Sequence, residues 1–144
     1  LFKYRGKLSL AKPLARALIE ALPPLPALDG IIPVPLHPQR LREREYNQSL
    51  LLADRLRHQM DIPLLLGCLI RIRSTAPQTS LSKKERLRKL RGAFCVAEPD
   101  HIQGKRILLM DDVFTTGMTL HECAKTLRRA GSGPVYGLTL ARMV

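Results

Sequence analysis

Residues 107 to 120 read Ile-Leu-Leu-Met-Asp-Asp-Val-Phe-Thr-Thr-Gly-Met-Thr-Leu, an apolar run that ends in two adjacent carboxylates and then turns through hydroxyls and a glycine. Gly117 allows the backbone to bend so that successive N–H groups can point at one anion, and the hydroxyls of Thr115, Thr116 and Thr119 add donors. A phosphate monoester fits that nest. Asp111 and Asp112 would repel the phosphate, so they suit hydroxyl donors or a divalent cation beside it. Phosphate, diol and metal within one loop describe a ribose 5-phosphate. A Thr-Thr-Gly turn alone is usually just a turn, and an Asp pair alone can cap a helix. The fixed order of apolar strand, acidic pair, turn and helix is more specific than either.

The elements that must hold this loop are readable as an alternation of strand and helix. Residues 10 to 22 place Leu10, Leu14, Ala17, Leu18 and Ala21 at helical spacing, with Pro13 tolerated in the first turn and Pro23, Pro24 and Pro26 as a stop. Residues 30 to 35 form a short buried strand in which Pro33 and Pro35 limit ladder bonding. Asn47 can cap a helix over about 48 to 60 that carries Leu51, Leu52, Leu56 and Met60. The apolar stretch 62 to 72, broken by Pro63 and Gly67, predicts one or two short strands. Residues 73 to 81 are a loop by composition, and Ser82 with Glu85 has capping-box spacing for a basic helix to about Leu90.

Residues 93 to 96 are a candidate strand, and a turn at 100 to 104 precedes the strand 106 to 110. Thr119 and Glu122 have the spacing of a second capping box, opening a helix whose apolar face is Leu120, Cys123, Ala124, Leu127 and Ala130. Gly131 would cap its C-terminus, and residues 134 to 142 return as a strand. Strand, helix and strand in this order predict a βαβ unit on a parallel sheet, with ligands beyond the carboxyl ends of the strands.

Composition bounds what such a site can serve. The 144 residues suffice for one domain over 1 to 144 with a real core. No apolar run approaches the ~18 residues of a membrane span, and no signal-peptide hydrophobic region opens the chain, so a cytoplasmic protein without membrane insertion is expected. The chain starts at Leu1, so an N-terminal piece is expected to be missing. Cys68, Cys95 and Cys123 are odd in number and far apart, which predicts free thiols rather than a disulfide framework or zinc ribbon. The net charge of +12 concentrates anions at the surface, with nucleic acid, nucleotides and pyrophosphate all eligible. Within residues 71 to 91, Arg71, Arg73, Lys83, Lys84, Arg86, Arg88, Lys89 and Arg91 face the single acid Glu85. A solvated basic helix is the plain alternative for that run, and the scarcity of aromatics there gives no base-stacking platform.

The stretch Asp111 to Thr119 resembles the 5-phosphoribosyl 1-diphosphate (PRPP) signature of type I phosphoribosyltransferases, and the remaining motifs narrow the resemblance to the ComF/GntX family associated with competence and DNA utilisation. Those motifs are Pro33 to Pro38 with Arg40 to Arg44, then Tyr46 to Ser49, Arg71 to Gln78, and Gly92 to Phe94. The chain departs from many such sequences at Glu45, Tyr46 and Lys89, and the Cys-rich zinc-binding segment that often precedes the domain is not in it.

The resemblance implies a three-layer type I phosphoribosyltransferase-like α/β fold with a mainly parallel central sheet flanked by helices. It implies that Asp111 and Asp112 hold the ribose hydroxyls, with Mg²⁺ held there directly or through PRPP, and that Thr115, Thr116, Gly117, Met118 and Thr119 hold the 5-phosphate. The loop from Pro35 through Leu36 and His37 to Arg40 would take the pyrophosphate, and residues 73 to 91 would form a hood over the site. Arg40, Arg71, Arg73, Lys83 and Lys84 are then candidates to stabilise the departing pyrophosphate. The acceptor would be a nucleobase-like or other amine, and an oligomer is compatible with the family. Two readings stay open: a phosphoribosyltransferase, or a non-catalytic protein that binds PRPP and nucleic acid.

Overall fold

The computed structural model describes residue 13 and residues 15–35, 48–72, 84–85, 91–114 and 117–142. Residues 13 and 15–21 are helical and precede β1 (Gly30–Pro33) and α1 (Gln48–Met60). The hairpin strands β2 (Leu69–Arg71) and β3 (Phe94–Val96) follow, then a 3-10 turn over Pro99–Ile102. β4 (Ile107–Phe114), α2 (Met118–Arg129) and β5 (Val135–Arg142) complete the order. β1, β4 and β5 form a three-stranded parallel sheet with β4 in the middle, and β2 and β3 form a separate antiparallel pair.

Parallel strands buried on both faces need apolar residues at every position, and β4 begins with four of them, Ile107 to Met110, none more than 1% exposed. Successive side chains alternate between faces. Ile107 and Leu109 join Ile32, Val34, Phe94, Ile102, Cys123 and Leu127 in one core, beneath α2 and the hairpin. Leu108 and Met110 join Ile31, Leu52, Ala53, Leu56 and Ala15 in the other, beneath α1 and the helical residues 15–21. The result is three layers, α/β/α. Each large aliphatic side chain removed from water in this way contributes about 1.5–3 kcal/mol.

Pro33 is accommodated in β1 because of the side on which its missing donor falls. Val34 N–H donates to the Met110 carbonyl at 2.8 Å, whereas Ile31 N–H faces the other way and donates to Pro63 O at 2.8 Å. Pro33 lies two residues from Ile31, so its nitrogen faces away from β4 and costs no bond of the central ladder. At the start of the same pair, Asp29 and Arg106 exchange two bonds, Asp29 N–H to Arg106 O and Arg106 N–H to Asp29 Oδ2, both 2.8 Å.

Three sequence expectations are corrected. In the first helix, Ala17 and Ala21 are exposed, and the buried stripe is instead Ala15 with the partly buried Leu18 and Ile19. β4 runs on to Phe114 rather than ending at Met110, because β5 supplies partners as far as Val113↔Ala141 and Phe114↔Arg142. Pairing overrides the low strand preference of Asp111 and Asp112. The capping box of Thr119 and Glu122 does not form: Gly117 is the N-cap, in the left-handed region at φ 79°, with no side-chain capping bond. The helix starts earlier than that spacing predicts, which places Thr119 in its first turn and leaves Glu122 buried in its second.

The C-terminal glycine behaves as expected. Ser132 N–H bonds Leu127 O and Gly131 N–H bonds Arg128 O, both at 3.1 Å, which is a Schellman closure with Gly131 at φ 107°. Among the described residues, no helix is long and apolar enough to cross a membrane.

Candidate ligand site at the carboxyl edge of the sheet

The site is built where β1 ends alongside β4, which runs four residues further. The parallel register Pro33↔Met110, closed by the Val34 N–H to Met110 O bond, brings the half-buried Pro35 to the same edge at which Asp111 begins the polar part of β4. Asp111 is half-buried and paired in register with Thr139 of β5. After the strand the chain re-enters at Gly117, whose carbonyl accepts the first helical bond from His121 N–H at 2.9 Å. The first turn of any α-helix offers its N–H groups outward, and its dipole favours an anion there. Met118 and Thr119 open α2 at that position, both partly buried.

A second charged residue, Arg71, lies on the hairpin. It ends β2 opposite Phe94 of β3, and its guanidinium lies 5.3 Å from the centre of the Phe94 ring. Stacking over an aromatic face orients a guanidinium. Cys123, fully buried on the second turn of α2, registers both charges: burial pushes its thiol far up from the ordinary value, Asp111 adds to the rise, Arg71 opposes it, and Glu122 adds again. The charges of Asp111 and Arg71 are thus both felt at the buried Cys123. A carboxylate at the end of a strand and a helix N-terminus after it can hold hydroxyls or a hard cation and a phosphate.

Of the residues expected at the site, Pro35, Asp111, Gly117, Met118 and Thr119 are placed on this edge, the backbone of Asp112 continues β4 beyond Asp111, and Arg71 ends β2 in the separate hairpin. Lys84 is helical and exposed. Leu36, His37, Arg40, Arg73, Lys83, Thr115 and Thr116 lie outside the described residues.

The chain is 37% identical to competence protein F of Haemophilus influenzae over 148 aligned positions, covering 98% of this chain and 65% of that protein. It is 36% identical to the DNA utilization protein YhgH of Salmonella typhi, covering 97% of this chain and 63% of that protein. The chain is a homologue of both proteins along nearly its whole length. It spans somewhat less than two thirds of the length of these relatives. No protein-family model matches it.

Solved structures similar to this chain are phosphoribosyltransferase folds. Glutamine PRPP amidotransferase from B. subtilis superposes with a TM-score of 0.58 at 22% identity, over 93% of this chain and 26% of that one. Adenine phosphoribosyltransferase from Thermoanaerobacter pseudethanolicus gives 0.56 at 12% identity, over 91% and 79%. The fold is that of the type I phosphoribosyltransferases, as the sequence resemblance implied.

Three neighbours of the site escaped sequence reasoning. Glu122 carried a capping signal that pointed the wrong way, and Cys123 showed only as one more apolar position on a helix face. Phe94 showed only as the end of a family motif in a candidate strand, since its contact with Arg71 exists only once β2 and β3 pair.

Proposed function

We propose that this chain binds PRPP at the carboxyl edge of the sheet and, with Mg²⁺, transfers its phosphoribosyl group to a nitrogenous acceptor of nucleobase-like or amine type. The observation that carries this reading is the end of β1 opposite Met110, which puts Pro35 beside the start of the acidic pair on β4, the strand that leads to the N-terminus of α2. PRPP has a 5-phosphate, a ribose diol and a 1-pyrophosphate. The edge offers a helix N-terminus, a carboxylate, and the chain leaving β1 in matching order.

In the reaction the bond from C1 to the pyrophosphate oxygen breaks as a bond from C1 to the acceptor nitrogen forms, and the nitrogen loses its proton. Negative charge gathers on the leaving pyrophosphate, so a cation placed there stabilises the transition state more than the ground state. Arg71, already oriented by Phe94, is the described residue suited to that role, with Arg40, Arg73, Lys83 and Lys84 as further candidates. Asp111 and Asp112 would hold the ribose hydroxyls. The half-buried carboxylate of Asp111 also suits an oxygen-seeking cation, and Mg²⁺ held there or through PRPP would neutralise leaving-group charge.

The test is thermal stabilisation by PRPP in the presence of Mg²⁺. The wild-type melting temperature is expected to rise and that of Asp111→Asn with Asp112→Asn to stay unchanged on adding PRPP. Equal stabilisation of both proteins removes this reading. Released pyrophosphate with a panel of bases then separates a transferase from a binder.

A second reading is favoured by the net charge of +12. In it the chain keeps the PRPP site without turnover and uses its basic surface on nucleic acid, and it requires binding to DNA at low salt.

A further inference from the structure

The end of the molecule opposite the sheet's ligand edge carries a second group of chemically active side chains. Cys68 immediately precedes β2, Glu98 follows β3, and His101 lies in the 3-10 turn that leads towards β4. One ligand atom from each lies within 4.8 Å of the others. Cys68 is buried at the base, and the Glu98 and His101 side chains are half to two-thirds exposed above it, with His101 Nδ1 2.6 Å from Glu98 Oε2.

We propose that Cys68, Glu98 and His101 form a binding site for a borderline-soft divalent metal ion of the zinc type, separate from the PRPP site. A sulfur, an imidazole nitrogen and a carboxylate oxygen are the three donor types that Zn²⁺ takes, and Mg²⁺ or Ca²⁺ would not select the sulfur. Tetrahedral coordination with the usual bond lengths puts ligand atoms about 3.3–3.7 Å apart. Small rotations of the two exposed side chains reach that spacing, opening the 2.6 Å His101–Glu98 contact and exchanging it for two metal bonds. The outer side supplies the fourth position, for water.

The backbone beneath the three ligands is fixed. Ala97 N–H bonds Cys68 O at 2.8 Å, which locks the ends of β2 and β3 together. His101 N–H bonds Glu98 O at 3.1 Å, and the Gln103 side chain ties the turn to Pro99 O and Ala130 O at 2.9 and 2.7 Å. A divalent cation would displace the thiol proton on binding and draw sulfur and carboxylate together. The ion would clip the β2–β3 hairpin to the turn that enters β4.

Cobalt reports thiolate ligation directly. Titration of the reduced chain with Co²⁺ is expected to give a thiolate-to-metal charge-transfer band in the near ultraviolet that Zn²⁺ removes by displacement. Cys68→Ser is expected to abolish the band, and His101→Gln with Glu98→Gln to weaken Co²⁺ binding more than about tenfold. Cys95→Ser, and Asp111→Asn with Asp112→Asn, are expected to leave it intact, which keeps this site distinguishable from any metal bound with PRPP. No band in the wild-type chain, or a band that survives Cys68→Ser, overturns the proposal. Because Cys68 is buried and its variant can fail to fold, the exposed pair decides independently: undiminished Co²⁺ affinity in folded His101→Gln with Glu98→Gln overturns it as well.

Discussion

Cys123 and Cys68 show how a single atom's surroundings set a measurable property. Both are buried and unpaired, and burial is the first cause that raises each thiol above its ordinary value of 9.0. In the unfolded chain both would ionise near that value, whereas in the folded chain they stay protonated. Their contribution to stability is thus fully present below pH 9 and is lost as the pH rises beyond it. Urea unfolding at pH 7 and at pH 10 is expected to show a lower midpoint at the higher pH. Cys123→Ala should shrink that difference, since alanine has no proton to lose. An unchanged pH dependence in the variant would assign the effect to other groups. The sequence identified these as free thiols, but nothing in it said that Asp111 and Arg71 would both act on Cys123.

At the scale of elements, the closure of α2 is the sharpest case. Gly131 at φ 107° takes a conformation that L side chains rarely adopt, and a methyl group there would meet the Gln103 amide, which already bonds Pro99 O and Ala130 O. Gly131→Ala is therefore expected to destabilise the protein by about 1–3 kcal/mol, read from urea unfolding. A change below about 0.5 kcal/mol would mean that the turn relaxes at little cost. This glycine was legible because a left-handed C-cap leaves a strong sequence signal. The start of the same helix was misread, because Thr119 and Glu122 have capping-box spacing while Gly117, two residues earlier, can also end the turn. Local spacing cannot rank two competing caps. The packing of α2 onto β4 and β5 decides which is used.

At the scale of the whole molecule, the charge of +12 is spread over a fold whose sheet edge collects the candidate anion-binding groups. If the basic surface engages single-stranded DNA, affinity must fall as counterions compete. For about four phosphates neutralised, the log–log slope is about −2.8, roughly a fifty-fold loss over a fourfold rise in salt. Fluorescence anisotropy of a labelled oligonucleotide at several salt concentrations measures this. No binding at low salt would discard the nucleic-acid reading while leaving the PRPP reading intact.

The sequence by itself determined the alternation of strands and helices, the βαβ unit from β4 to β5, and the residue types of the candidate ribose-phosphate loop, because periodicity, turn chemistry and motif spacing are local properties. It also carried the family resemblance, since the motifs stand in order along nearly the whole chain. Only the tertiary structure decided that β4 would continue through its acidic pair, because the partners that hold those residues extended lie on β5, some 28 positions further along the chain. The same holds for Arg71 meeting Phe94 across the hairpin, and for Cys68 meeting Glu98 and His101 about 30 residues later. Such meetings depend on which strands pair and in what register, and no spacing along the chain encodes them.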